Sequence, residues 1–421
     1  MRTTWTYDQS TEIELMKVVY GRVIDMQFNQ ENILYARCKK KNNFVGLQLE
    51  EVVIQSIGGG VSAGSLPTAS RNQHSKAILR RKKLYARTEV DRETMKVAKG
   101  SLGAFKDVTK HAVEMTVRGF NRNLERQMTR GGVDGDGILI PGDAANSAVT
   151  GTGSESDPYI VNFDAPATYF PAHFEATEVG DIVVIGTEAT ELEILEVNVV
   201  VSGGYATGSL ELLGTSATLA ANAPIVDNIY MQKSRGNEII GLQGVLTATT
   251  GTLYNIPVGR RWQSYQKDAA GAEISTDLLN DLIINLKRQS GKAPNLLLIS
   301  FHQYVNLLNL LEDNKRYPLP TRNKELKGQF SFSALSYEGP SGTIPIMASR
   351  FMDSDKVFAL NDNHISMHSA PGGLEWFDED GTVFLRRGES DSYEARYGGY
   401  CELYVNPHFQ GIITGLAVSA S

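Results

Sequence analysis

An α+β fold with projecting parts is expected of this 421-residue chain, on three observations. Two alternating, strand-like runs near the N-terminus flank a Gly-rich break. A helix-period stretch runs from Ser101 to Arg130. After it, a segment without helix signals gives way to short helices interleaved with buried-type strands.

The first 43 residues are polar, have no clear period and read as an arm that needs a partner surface. In Phe44 to Ile57, Val45, Leu47 and Leu49 alternate with Gly46 and Gln48. Gly58-Gly59-Gly60 and a Ser/Ala/Gly/Pro stretch to Ser70 break that run, and Leu84, Ala86, Thr88 and Val90 resume it. Together these predict a long hairpin with a flexible tip, too marginal to stand alone in water. The helix Ser101 to Arg130 carries a narrow stripe of Leu102, Phe105, Thr109, Ala112, Thr116, Phe120, Leu124 and Met128, is capped by Ser101 and stops at Gly131-Gly132. A stripe that thin, on a helix roughly 45 Å long, predicts a beam across the molecule rather than a buried element.

Residues 131–156 read as loop. From Asp157 to Gly236 short β runs alternate with turns, which suggests a small inserted barrel or sandwich. Ser275 then caps a helix with Leu278, Leu279, Leu282, Ile283 and Leu286 on one face, closed by Gly291 and Pro294. Leu296 to Ile299 is a buried-type strand, and Phe301 to Glu312 a helix with Val305, Leu308 and Leu311 inward. Strand-like pieces follow at Thr343 to Ala348 and Lys356 to Leu360, and alternation returns from His364 onward.

Composition excludes several classes. The chain has 41 Lys+Arg, 48 Asp+Glu and a net charge of −7, and its 21% charged residues are ordinary for a folded protein. It is long enough for two or three domains. No apolar run approaches the roughly 20 residues that span a bilayer, and no secretory signal follows Arg2. Cys38 and Cys401 exclude a disulfide framework and a multi-cysteine metal site. The charge is unevenly placed. Residues 71–130 hold 16 Lys/Arg against 6 Asp/Glu, a local +10, whereas 157–236 hold 11 acidic residues against Lys233 and Arg235, a local −9. Pairing between subunits accounts for this better than nucleic-acid recognition, because the basic stretch lacks interleaved aromatics and a zinc-finger or Gly-X-X-Gly clamp.

No motif carries catalysis. Gly60-Val61-Ser62-Ala63-Gly64 has the spacing of a nucleophile elbow but no helix after it. His364 and His368 have zincin spacing without the Glu or a third ligand, and read as hydrogen-bonding histidines. Asp134-Gly135-Asp136-Gly137 lacks the remaining ligands of a calcium loop and reads as a turn. Gly203-Gly204 to Gly208 lacks the Lys-Ser/Thr of a phosphate loop. The chain is expected to be no enzyme and to hold no cofactor or metal.

The order of parts, with four stretches, resembles the major capsid protein of tailed bacteriophages, of the Hong Kong ninety-seven type. KKLYARTEVDRETMKVAKGSLGAFKDVTKHAVEMT is similar to the descending limb of that family's extended loop entering its spine helix. ISTDLLNDLIINLKRQSGKAPNLLLIS is similar to the axial-domain helix and strand, and IPIMASRFMDSDKVFALNDNHISMH and YCELYVNPHFQGIITGL to the peripheral-domain strands. The resemblance implies an α+β capsid fold divided as N-terminal arm 1–43, extended loop 44–98, spine helix and peripheral domain 99–156, inserted β domain 157–236, peripheral domain 237–262, axial domain 263–363 and peripheral return 364–421. It also implies self-assembly, in the host cytoplasm, into pentamers and hexamers of an icosahedral virion shell around double-stranded DNA, without sequence-specific DNA contact and without a membrane. Portal, a scaffold or maturation protein, and a decoration protein are the expected partners. Because no long helical extension precedes the hairpin, any scaffold is expected to be separate.

By the same resemblance, Arg80, Arg81, Lys82 and Lys83 are expected to reach acidic partners across the overlap between subunits, with Arg87, Arg118, Arg122 and Arg126 as further intersubunit contacts. Some members crosslink a loop lysine to a peripheral asparagine; Asn406 is present but the full trio does not align, so a non-covalent shell is expected. Two other readings are an encapsulin-type compartment shell, which shares the fold, and a β-rich adhesin or tail component that uses the insertion to bind a receptor.

Overall fold

The computed structural model describes residues 33–56, 73–91, 102–313, 335–340, 342–378, 383–387 and 391–418. Most of the arm, the Gly-rich tip with its elbow-like motif, and Ser101 lie outside the described residues. The described residues form three six-stranded sheets and two two-stranded ones.

In the first sheet, Lys39–Lys41, Ile365–Ser369 and Ser392–Val405 lie side by side, and Ser392–Val405 also pairs with Lys82–Asp91, Glu375–Trp376 and Phe384–Arg386. The long helix, Leu102–Arg130, packs on one face of it: Val117, Phe120, Leu124 and Met128 share a core with Leu84, Tyr397, Cys401 and Leu403. Phe120 meets the Tyr397 ring edge-on at 5.1 Å.

This sheet corrects the expected hairpin. Gln48–Ser56 pairs antiparallel with Gln73–Arg80, whereas Lys82–Asp91 runs ten residues along Ser392–Val405, from Lys82 opposite Cys401 to Asp91 opposite Ser392. Alternation is identical in a hairpin limb and a sheet strand, and the true partner is about 300 residues away in sequence.

The second sheet is wholly antiparallel, in the order Ile138–Ile140, Ile229–Met231, Ile182–Ile185, Leu192–Ser202, Tyr205–Leu213, Tyr159–Phe163. It is a single sheet around its own core, with Leu139, Val161, Phe163, Ile194 and Leu210 fully buried, so neither a sandwich nor a closed barrel is formed among the described residues. Ile138–Ile140, which reads as loop, is an edge strand of it. Gly203-Gly204 is the tight turn between its two longest strands, not a phosphate loop.

The third sheet is mixed, in the order Tyr265–Asp268, Gly411–Thr414, Val357–Leu360, Leu296–Ile299, Gly342–Ala348, Leu335–Gly339. Leu296–Ile299 is buried on both faces: Leu296 and Leu298 join the core under the long helix, Leu297 and Ile299 the core under Thr276–Ser290. That helix is as expected, with Ser275 Oγ accepting from Leu278 N, Gly291 left-handed at its end, and Leu279, Leu282, Ile283 and Leu286 buried. Phe301–Asp313 is rotated from expectation. Phe301 and Val305 are about half exposed, while Leu307 and Gln303 face inward. The cause is Gln303, whose amide donates to Ser354 O (2.8 Å) and Ala417 O (3.0 Å).

Residues 351–353 stitch these units together. Phe351 is fully buried in the core of the second sheet, Met352 in that under the long helix. Asp353 accepts from Lys356 (2.6 Å) and Gln243 (3.1 Å) and lies 3.3 Å from Arg130 Nε. Among the described residues no helix is long and apolar enough to cross a membrane.

Candidate assembly surfaces

The hairpin has two unlike faces. Val53, Ala77 and Leu79 are buried on the chain's own body, and Ile78 N donates to Tyr254 O at 2.9 Å. On the other side Val52 is 63% and Ile54 59% exposed, and Val45 and Leu47 beside the hairpin base are 83% and 77% exposed. Strand alternation forces this division, since consecutive side chains of Val52-Val53-Ile54 must point to opposite faces. The Lys76–Glu50 pair across the hairpin (2.7 Å) is solvated and adds little.

The cations of residues 80–87 sit where the hairpin meets the first sheet. Arg80 closes the hairpin opposite Gln48, and Arg80 and Lys83 are exposed. Arg81 lies 4.8 Å over the Tyr400 ring. Lys82 Nζ donates to its own chain's Gly236 O (2.8 Å), and Arg87 pairs with Glu394 (3.0 Å). On this sheet face Lys83 is opposite Tyr400, Tyr85 opposite Gly398, and Arg87 opposite Arg396. Tyr85, 49% exposed, places its hydroxyl 3.3 Å from that of Tyr400 and its ring 5.8 Å from Phe377. Burial and the Tyr400 hydroxyl push its phenol up to about 12. Cations and aromatics therefore interleave here, against the sequence expectation, because Phe377, Arg396 and Tyr400 come from a distant segment.

Arg122 and Arg126, expected at the overlap between subunits, are instead engaged within their own chain. Arg122, 8% exposed at its side chain, pairs with Glu178 and with Asp181 (3.1 Å); Arg126, 1% exposed, pairs with Glu238, which also accepts from Ser234 Oγ. With Arg130 on Asp353 they form an i, i+4, i+8 ladder along one side of the helix, and each rung ends in another part of the chain. The last three turns are thus a buried core element, not an exposed beam, because their charges are paired within the chain, those of Arg126 and Arg130 with the buried Glu238 and Asp353. Arg118 is exposed. Although burial opposes it, Arg130 and Lys356 hold the Asp353 carboxyl far below its ordinary range, and burial beside Arg130 drops His173 to about 3, so that its ring is neutral.

The chemistry-like motifs among the described residues make structural contacts. His368 is fully buried, hydrogen-bonded between Ser366 Oγ and Asn43 Oδ1 (both 2.9 Å), and burial lowers it to about 4. His364 stacks on Phe409 at 3.7 Å. Asp136 accepts from Gly132 N in a turn with Gly135 and Gly137 left-handed. Asn406 Oδ1 accepts from His408 N in a local cap. Among the described residues no group of three or more His, Cys, Asp or Glu could hold a metal ion.

Glu402 carries a pH prediction. It is 1% exposed, and its Oε1 accepts from Ile240 N (2.8 Å) and Leu403 N (3.1 Å). Burial outweighs those bonds and raises it from 4.5 to about 8. Between these values the unfolded chain gives up the proton and the folded chain keeps it. This group's contribution to stability is therefore full below about pH 4.5 and falls by about 1.4 kcal/mol per pH unit until the folded group ionises. Glu402→Gln keeps the acceptor and cannot ionise. Urea unfolding of the variant at pH 6 and pH 8 is expected to lack this group's downward slope; the wild-type slope in the variant would refute the assignment.

Residues 221–417, just under half of the chain, match the model of a family described as the SU10 major capsid protein. No curated protein matches. A chain of the cyanophage A-1(L) capsid asymmetric unit aligns with a TM-score of 0.52 at 10% identity, over 91% of this chain and 92% of that one. A chain from Mycobacterium phage Patience aligns at 0.41 and 8% identity, over 100% and 94%. One from a holo-encapsulin complex of Synechococcus elongatus aligns at 0.28 and 14% identity, over only 37% and 54%. The first of these shows a shared fold.

Proposed function

We infer that this chain is a major capsid protein of the tailed-phage kind, a structural subunit that builds a shell from copies of itself. The observation that carries the reading is the fold shared with a phage capsid chain over nine-tenths of both molecules, in the same chain whose residues 221–417 match a capsid family. The physics agrees. A hairpin with Val52 and Ile54 uncovered gains its missing burial only against another copy, so its order and assembly are linked. Copies of one chain closing into pentamers and hexamers use heterologous contacts of this kind. The shell encloses double-stranded DNA as an icosahedral virion assembled in the host cytoplasm. Portal, a separate scaffold or maturation protein, and a decoration protein complete it.

Negative-stain microscopy of the purified chain tests this. Closed shells are the expected result; tubes or trimers would favour an adhesin or tail role, and monomers would end the proposal. A sharper version uses Val52→Asp with Ile54→Asp. Both positions are exposed, so monomer stability should change by no more than about 0.5 kcal/mol each, while shells should disappear from sedimentation profiles. Normal assembly by that variant would show that the hairpin face is not an interface.

A further inference from the structure

Residues 138–231, which contain the whole second sheet, hold thirteen Asp or Glu and neither Lys nor Arg. No salt bridge to Lys or Arg can form within this stretch; Arg235, just after it, is engaged by Gly186 O and lies 5.4 Å over the Tyr230 ring. Some of its carboxylates are engaged: Glu178 and Asp181 by Arg122, Glu188 by Ser216 and Thr218, and Asp164 by Ser147. The outward face of the sheet retains Glu196 directly opposite Glu211, with Ile160 opposite Glu211 on the next strand. Like charges facing across a ladder are unfavourable, and a cation from outside the stretch would relieve them.

The cation–aromatic face of the first sheet has the matching character. Arg81, Lys83 and Arg396 surround Tyr85 and Tyr400, with Arg87 opposite Arg396. Tyr and Arg dominate the energetic centres of protein interfaces. Glu394 pairs with both Arg87 and Arg396, and Glu89 with Arg387, so the face is a mixed one that suits a protein partner better than a uniformly anionic polymer such as nucleic acid.

We propose that the basic, aromatic face around Tyr85 and Tyr400 receives the cation-free β module of a second copy, whose Glu196 and Glu211 meet Arg81, Lys83 and Arg396. This rests on the reading of the chain as a self-assembling subunit and names the partner surface of its expected basic contacts. Each copy presents both surfaces, so the contact is head-to-tail and propagates from copy to copy.

Complementation tests it. One variant carries Arg81→Glu, Lys83→Glu and Arg396→Glu; the other carries Glu196→Lys and Glu211→Lys. Each alone, with circular dichroism confirming the fold, is expected to self-associate at least tenfold more weakly in analytical ultracentrifugation. An equimolar mixture should recover wild-type association, because each reversed surface meets its reversed complement. Should a reversal unfold the chain, glutamine at the same positions replaces it, with loss of the salt dependence of association as the readout. Wild-type association by either variant alone, or no recovery on mixing, overturns the proposal. So does loss of double-stranded DNA binding by the first variant with association intact, which would assign the face to nucleic acid. Wild-type association into tubes instead of shells would overturn the capsid reading and leave this contact standing.

Discussion

Glu238→Ala is expected to cost about 3–5 kcal/mol of unfolding free energy, the usual consequence of removing one partner from a buried ion pair. The remaining partner, Arg126, is 1% exposed, and Asn123 is its other side-chain partner, at 2.8 Å and 3.1 Å. Its guanidinium would stay largely uncompensated in the core, since the helix is held by Leu124 and Met128 and cannot turn it outward. The double variant Arg126→Met with Glu238→Leu should recover most of the loss, because it removes both charges and the need to desolvate them. Urea unfolding of the two single variants and the double gives the coupling directly. A loss below about 1 kcal/mol for Glu238→Ala would show that the pair is solvated, against its observed burial.

Phe351→Ala is the second large effect, again about 3–5 kcal/mol, the range for deleting a fully buried aromatic ring. Its location makes the effect selective. Phe351 fills the core of the second sheet although its neighbours Met352 and Asp353 are anchored elsewhere. The cavity should therefore loosen the grip on the second sheet before it harms the third. Limited proteolysis is expected to cut within residues 138–231 at protease levels that leave wild type intact, while the thermal midpoint falls. Phe351→Leu, which keeps most of the volume, should cost less, about 1–2 kcal/mol. Uniform protease resistance in the alanine variant would mean that the ring is not what seats the module.

What could be read from the sequence follows from how far each signal travels along the chain. Ser275, Gly291 and the Leu279/Leu282/Ile283/Leu286 stripe are local, and the helix they define is the one observed. The limits of the long helix are equally local, yet its burial is not, since Arg126 needs Glu238 and Arg130 needs Asp353. Polar residues in a helix read as solvent-facing until such partners are known. Partner choice among alternating strands was hidden for the same reason: nothing near Leu84 marks it for Gly399 rather than for the strand after Phe44. Of the assembly surfaces, the cations of residues 80–83 were visible, whereas the aromatics that frame them come from 377 and 400 and meet them only in the fold.

The strand Gly411–Thr414 sits in the interior of the third sheet, between Tyr265–Asp268 and Val357–Leu360, and Lys82–Asp91 closes on Ser392–Val405. On a ribosome, the first sheet cannot be completed until residue 405 has left the exit tunnel, nor the third until residue 414 has. Such distant pairings form slowly, and meanwhile the chain displays unpaired strand edges to its neighbours on the same messenger. Dependence on a holding chaperone during synthesis is the expected outcome, and a nascent chain stalled before residue 392 should be the species that the chaperone retains.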